Sequence, residues 1–165
     1  MSIDKSLNIS HPPLQNDWID APHHLLNVGD LPLELGGCIQ NCQISYTTHG
    51  DITEHTKPLV IFLCAIGSIH HRLDFLLNQS KTLDLNHVRV IAIDALGNGL
   101  SSSPSNSKEQ PFFRFPKFTI RDMVNSQKIL LEKLGIKKVD AIIGASMGGM
   151  QAIQWGVSYP EFMNF

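Results

Sequence analysis

Three apolar runs, Leu59–Cys64, Val88–Asp94 and Val139–Ile143, restrict what this chain can fold into. A strand with one wet face alternates polar and apolar residues. A run without alternation has to be covered on both faces, the situation of a strand inside a parallel sheet. Helices are expected between the runs. Residues 69–80 read as one helix. A second is capped by Thr119, carries an apolar stripe of Ile120, Met123, Val124, Leu130, Leu131 and Leu134, and stops at Gly135. A last helix starts near Met147, carries Met150, Ile153 and Trp155, and ends before Pro160. Strands alternating with helices predict an α/β fold with a mostly parallel sheet and right-handed crossovers.

The flanking segments read differently. Residues 1–30 are rich in Pro, Asn, Asp and His without a period, and predict an irregular N-terminal arm ahead of a domain over 31–165. Two short strands, Leu31–Glu34 and Gln43–Thr47, are expected around Gly36-Gly37. The Ser-rich stretch from Leu100 to Pro111 predicts a long loop too polar to pack as an element.

With 13 Lys and Arg against 15 Asp and Glu, the net charge of −2 supplies no attraction to nucleic acid or an anionic membrane. The N-terminus lacks a basic segment followed by an apolar one, and no apolar run approaches the ~18 residues of a membrane span. Cys38, Cys42 and Cys64 are odd in number and show no metal-ligand spacing, which predicts reduced thiols and a cytoplasmic setting.

Chemistry enters at Gly144-Ala-Ser-Met-Gly-Gly149, between the third apolar run and the last helix. A Gly-x-Ser-x-Gly turn from strand to helix is the nucleophile elbow of α/β-hydrolase-type enzymes, which makes Ser146 the candidate nucleophile. A serine hydroxyl is a weak nucleophile and must be presented and deprotonated. Gly144 and Gly148 give clearance where strand and helix approach, and Gly149 is expected to continue it. The amide of Met147, first in the helix, is aimed where an oxyanion would develop. The second oxyanion donor in this fold comes from the loop after an earlier strand, here Cys64-Ala-Ile-Gly-Ser68, which nominates the amide of Ile66.

Longer strings resemble the homoserine O-acetyltransferase family. They are Leu33-Glu-Leu-Gly-Gly37, Ile44-Ser-Tyr-Thr-Thr-His-Gly50, Thr119-Ile-Arg-Asp-Met-Val-Asn-Ser-Gln127, Leu134-Gly-Ile136 and Ile143-Gly-Ala-Ser-Met-Gly-Gly-Met-Gln-Ala152, followed by Trp155 and Tyr159-Pro160. The resemblance implies an α/β-hydrolase fold and a serine that takes an acyl group from acyl-CoA. The family passes that group to the hydroxyl of homoserine, a step towards methionine. Two segments depart from it. Cys64-Ala-Ile-Gly-Ser68 stands where the family reads His-Ala-Leu-Thr-Gly. Asp94-Ala-Leu-Gly-Asn-Gly-Leu-Ser-Ser-Ser-Pro104 is closer to the Asp-x-x-Gly-x-Gly-x-Ser of general α/β hydrolases than to the glycine- and cysteine-containing segment of the acetyltransferases. The chain thus looks like the hydrolase-like branch.

In this fold the acid and histidine that activate the serine follow it in chain order. After Ser146 the acid is Glu161, and no histidine follows His87. The expectation is the N-terminal part of an α/β-hydrolase domain without its C-terminal strands and cap, inactive as 165 residues alone. Its partners would be a small-molecule acyl donor and acceptor, with acyl-CoA a substrate and no bound cofactor. A competing expectation is a non-catalytic product that associates through an open sheet edge, as a homo-oligomer or with a second chain.

His23-His24 and His70-His71 invite a metal reading, but adjacent residues on a helix or strand point apart. Solvent-exposed histidines are expected, with no metal site; a substitute base for Ser146 at His70 or His71 is the lesser reading. Asp94 is expected to cap the Gly-rich turn behind it, Arg121 and Asp122 to make local contacts at a helix start, and Cys64 to be a small core residue.

Overall fold

The computed structural model describes residues 11–78 and 82–164. The first ten residues of the expected arm, residues 79 and 80 of the expected 69–80 helix, and Phe165 lie outside the described residues. Among the described residues five strands form one sheet: β1 (His23–Pro32), β2 (Cys38–His49), β3 (Leu59–Leu63), β4 (Arg89–Ile93) and β5 (Ala141–Gly144). Their order is β1-β2-β4-β3-β5. The three predicted strands pair in parallel around β3, with Leu63 beside Ile93 on one side and Gly144 on the other. β1 and β2 add an antiparallel border, so the sheet is mixed.

Coverage of both faces explains the unbroken apolar runs. Leu59, Ile61 and Leu63 of β3 pack into one core cluster with Ile91 and Ile93 of β4. Val60 and Phe62 enter a second cluster with Val90, Ala92, Leu73 and Leu77. The first cluster is closed by α2 (Ile120–Lys133) and α3 (Met147–Ser158), through Met123, Val124, Leu130, Leu131 and Trp155. Thr119 caps α2 as the sequence predicts, and Asp122 answers from inside the first turn to complete a capping box. Asp122 also accepts the amide of Glu34 at 2.8 Å, and Arg121 pairs with Glu34 at 2.7 Å. The two residues therefore join the helix start to the β1–β2 turn as well as serving locally.

Four expectations are corrected. The irregular arm gives way at His23 to β1, which crosses the expected boundary at residue 30. β1 bulges at Gly29, whose φ is +93°, so its inward residues lose the period-two signal. The expected strand Leu31–Glu34 ends at Pro32, and the chain turns through Leu33–Gly37, closed by the Leu33 amide donating to Gly37 O at 3.1 Å. In place of one helix over 69–80, a 3-10 turn (His70–Leu73) precedes a one-turn α1 (Phe75–Asn78).

The serine run is the fourth. Ser101, Ser102 and Ser103 are buried, and the first two continue the pairing of β2 beyond the end of β4. Ser101 Oγ accepts the Ser45 amide at 3.0 Å, and Ser102 Oγ accepts the Gln43 amide at 2.8 Å. The loop is polar because its hydroxyls substitute for a strand's backbone groups.

Candidate functional site

At the end of β5 the chain reverses into α3 through Ser146, whose φ of 56° and ψ of −122° lie where non-glycine residues seldom go. The close approach that enforces this can be read from the glycines. A Cβ on Gly144 would lie 2.2 Å from the carbonyl of Gly148, and one on Gly148 would lie 2.4 Å from the Leu63 oxygen. Both clearances are steric requirements. At Gly149 the nearest atom to an added Cβ is 3.4 Å away, so the clearance expected there is not needed. Ser146 itself is exposed, and Met147 opens the helix behind it.

A buried polar chain fixes the helix that carries the elbow. Trp155 Nε1 donates to Gln127 Oε1 at 2.8 Å, and Gln127 Nε2 donates to Gln151 Oε1 at 2.5 Å. Gln151 Nε2 in turn reaches Cys64 O at 3.4 Å and Met147 O at 3.3 Å. Three side chains that a core would otherwise exclude are thereby satisfied, and α2, α3 and the end of β3 are held in one register.

The loop after β3 stands beside the elbow through the same contact. Ser68 closes it by donating its amide and hydroxyl to Ala65 O at 3.2 and 2.8 Å. Ile66 lies at its exposed tip, with its side chain 77% exposed. Gly67 and Ser68 continue into the wall of a cavity of about 470 Å³ that Trp18, Ile69 and Phe75 complete on its apolar side. Cys64 is a core residue, as predicted. Its sulfur accepts the Ala95 amide at 3.2 Å, and burial pushes its thiol up to about 12, far from a nucleophile's range.

Asp94 does hold the Gly-rich turn, by accepting from Asn98 Nδ2 at 2.8 Å, but it does more. Its carboxylate also accepts the His70 amide, His70 Nδ1 and Ser45 Oγ, at 2.8, 2.8 and 2.5 Å. His70 and His71 are buried at 3% and 5% exposure, not displayed to solvent. Each ring has a carboxylate on Nδ1 and faces His11 with Nε2. His71 Nδ1 meets Asp74 Oδ2 at 2.6 Å, and His11 Nε2 lies 3.3 Å from His70 Nε2 and 3.1 Å from His71 Nε2. Both Nε2 atoms thus face His11, and among the described residues neither ring is hydrogen-bonded to Ser146, the contact a substitute base would need. Burial and the neighbouring His70 hold the His23 imidazole at about 4, so it is neutral at pH 7. The gathering of His11 with His70 and His71 has no sequence signal, since about sixty positions separate them; the two adjacent pairs were the only hint.

Comparison with known proteins agrees with this geometry. The family model described as alpha/beta hydrolase fold matches residues 58–164. A homoserine O-acetyltransferase of Nautilia profundicola is 35% identical over 150 residues, covering 80% of this chain and 41% of that protein. An ethyl acetate hydrolase of Pseudomonas veronii is 33% identical over 148 residues, covering 87% and 42%. The solved structure of the acetyl esterase MekB superposes with a TM-score of 0.79 at 31% identity, covering 86% of this chain and 42% of that one. The chain thus spans about two fifths of the length of these relatives. A parallel strand core, a glycine-cleared strand-to-helix turn at Ser146 and a family match over both place this chain in the alpha/beta hydrolase fold family.

Proposed function

We propose that this chain carries the nucleophile-bearing part of an enzyme that moves a short acyl group through an ester on Ser146. One observation carries the reading: an exposed serine on strained backbone at the N-terminus of α3, directly after the sheet. In the proposed reaction Ser146 Oγ attacks the carbonyl carbon of an ester or thioester, and its proton leaves with the departing alcohol or thiol. Water or an acceptor hydroxyl then attacks the acyl-serine and releases Ser146 again. The amides of Met147 and Ile66 are assigned to the oxyanion, each such donor contributing roughly 3–4 kcal/mol of barrier lowering.

The residues after Ser146 contain no histidine, so the reading assigns the activating acid and histidine to polypeptide outside these residues. The relatives named for acetyl transfer and ethyl acetate hydrolysis favour an acetyl-sized group, with acetyl-CoA or a simple ester as donor. The cavity beside Gly67 and Ser68, at about 470 Å³, has the dimensions of a small-molecule site. A cytoplasmic setting belongs to the same reading, in keeping with three unpaired cysteines.

The test is an assay of the native-length protein that contains these residues, given a short-chain ester in water and acetyl-CoA with homoserine. An acetyl adduct on Ser146, and a loss of at least ~10³-fold in Ser146→Ala, are the expected results. Undiminished turnover in Ser146→Ala would sink the proposal, and the preferred acceptor would separate hydrolase from transferase.

A second reading, association without catalysis, draws on the border of the sheet. β5 is its terminal strand, with all four residues only half-buried, and α3 exposes Met150, Ile153 and Val157. A stable homo-oligomer whose Ser146 fails to react with a phosphonate ester would favour that reading.

A further inference from the structure

The tautomers of the histidine cluster follow from its partners. Asp94 accepts from a hydroxyl, an amide and a side-chain amide, and Asp74 Oδ2 accepts the Ile19 amide at 2.9 Å. Both are acceptors, so the His70 Nδ1 and His71 Nδ1 that face them carry protons. His11 Nδ1 lies 2.6 Å from Pro12 O, a carbonyl that only accepts, so it carries a proton too. In the neutral imidazoles all three Nε2 atoms are then lone pairs, and they converge on one another within 4.8 Å. Three lone pairs held this close repel unless a cation sits among them.

We propose that His11, His70 and His71 form a zinc site, each ligating through Nε2. Zinc–nitrogen bonds of about 2.0–2.1 Å in a tetrahedron place ligand atoms about 3.3–3.4 Å apart. The spacings of 3.3 Å to His70 and 3.1 Å to His71 from His11 fit that edge with a small outward movement, and the third spacing, between His70 and His71, lies within 4.8 Å. Each ligand has an oxygen behind it on Nδ1: the Asp94 carboxylate, the Asp74 carboxylate and the Pro12 carbonyl. Such outer oxygens fix ring orientation and raise the basicity of metal-bound histidines. The His71 ring is further pinned by Trp18, stacked at 4.3 Å with 14° between planes.

A cavity of about 160 Å³, lined by all three ligands together with Asp20, Leu14 and Ala21, supplies an entry path and room for a fourth ligand. Divergence of adjacent residues argued against a metal at His70-His71, but the 3-10 turn brings these two rings to 4.3 Å between centroids. The consequence of binding is mechanical. Zinc would tie the chain at His11 to the turn just after the Ile66 loop, ordering one wall of the larger cavity shared by Pro12, Trp18, Gly67 and His71.

The experiment is a zinc titration of the full chain after metal removal, by calorimetry and by metal content after desalting, with cobalt as a visible reporter of four-coordinate geometry. One zinc per chain, a zinc-dependent rise in Tm and tetrahedral cobalt bands are expected. His11→Ala should weaken binding by more than the about 10–100-fold that loss of an outer-shell partner costs. His71→Ala should do the same, while His24→Ala should bind as the parent does. If His71→Ala fails to fold, His11→Ala decides, since His11 is half-buried and outside the sheet. Failure to retain zinc, or undiminished affinity in His11→Ala, overturns the proposal, with a proton shared among the three rings as the alternative cation.

Discussion

Gly144 and Gly148 approach so closely that a Cβ on the first would sit 2.2 Å from the carbonyl carbon and oxygen of the second. Both atoms of that contact are backbone, so neither can rotate away. Gly144→Ala should therefore cost at least the about 1–3 kcal/mol of ordinary overpacking and shift Ser146 with the helix. Gly149→Ala, with 3.4 Å of room, should be neutral or stabilise α3 by up to about 1 kcal/mol through helix propensity. Urea unfolding of the two variants checks the contrast; equal losses would show that the helix can move aside.

Gln151 is the middle of the buried chain from Trp155 to the end of β3. Gln151→Leu keeps the approximate volume and strands the Gln127 amide, which donates to Gln151 Oε1. A buried donor left alone costs about 1–3 kcal/mol. The expected result is a lowered urea midpoint with the fold retained. A Gln127→Leu, Gln151→Leu double variant should recover part of the loss, since the stranded Gln127 amide is gone while Trp155 Nε1 and Cys64 O lose their partners, and a strictly additive double loss would argue against coupling.

At the start of α2, Thr119→Ala should cost about 1 kcal/mol, the usual loss of a capping side chain. Asp122→Ala should cost more, because Asp122 accepts both from Thr119 and from the Glu34 amide across the β1–β2 turn. Denaturant midpoints for the pair give the comparison, and equal losses would mean that the link to Glu34 contributes nothing.

Alkali should destabilise this protein earlier than a chain with exposed thiols. Burial raises the Cys42 and Cys64 thiols from 9.0 to about 12, and moves the Tyr46 hydroxyl upward from 10.0. The folded state then holds protons that the unfolded state gives up, so stability is full below about pH 9 and falls as pH rises from there towards 12. Urea midpoints at pH 8 and pH 10 should differ in that sense. Cys64→Ala should flatten the slope while lowering stability at pH 8, and a slope unchanged in Cys64→Ala and Cys42→Ala would exclude the thiols as its source.

The parallel centre of the sheet, the α2 cap and the elbow were legible in the order of residues alone. Each rests on local patterns: unbroken apolar runs that must be covered twice, a stripe at helical spacing, and glycines where two backbones meet. The remaining features depend on contacts between distant segments. β1 carries no period because it bulges at Gly29 on the border of the sheet. The buried serines read as loop because their burial depends on β2, some sixty positions away in the chain. The histidines read as solvent-exposed because, apart from Asp74 three positions beyond His71, the groups that cover them are distant in the chain: Asp94 and the segment at His11 reach them only in space. Local pattern reports what a residue does to its own backbone. Which distant groups surround it is settled by how the elements pack.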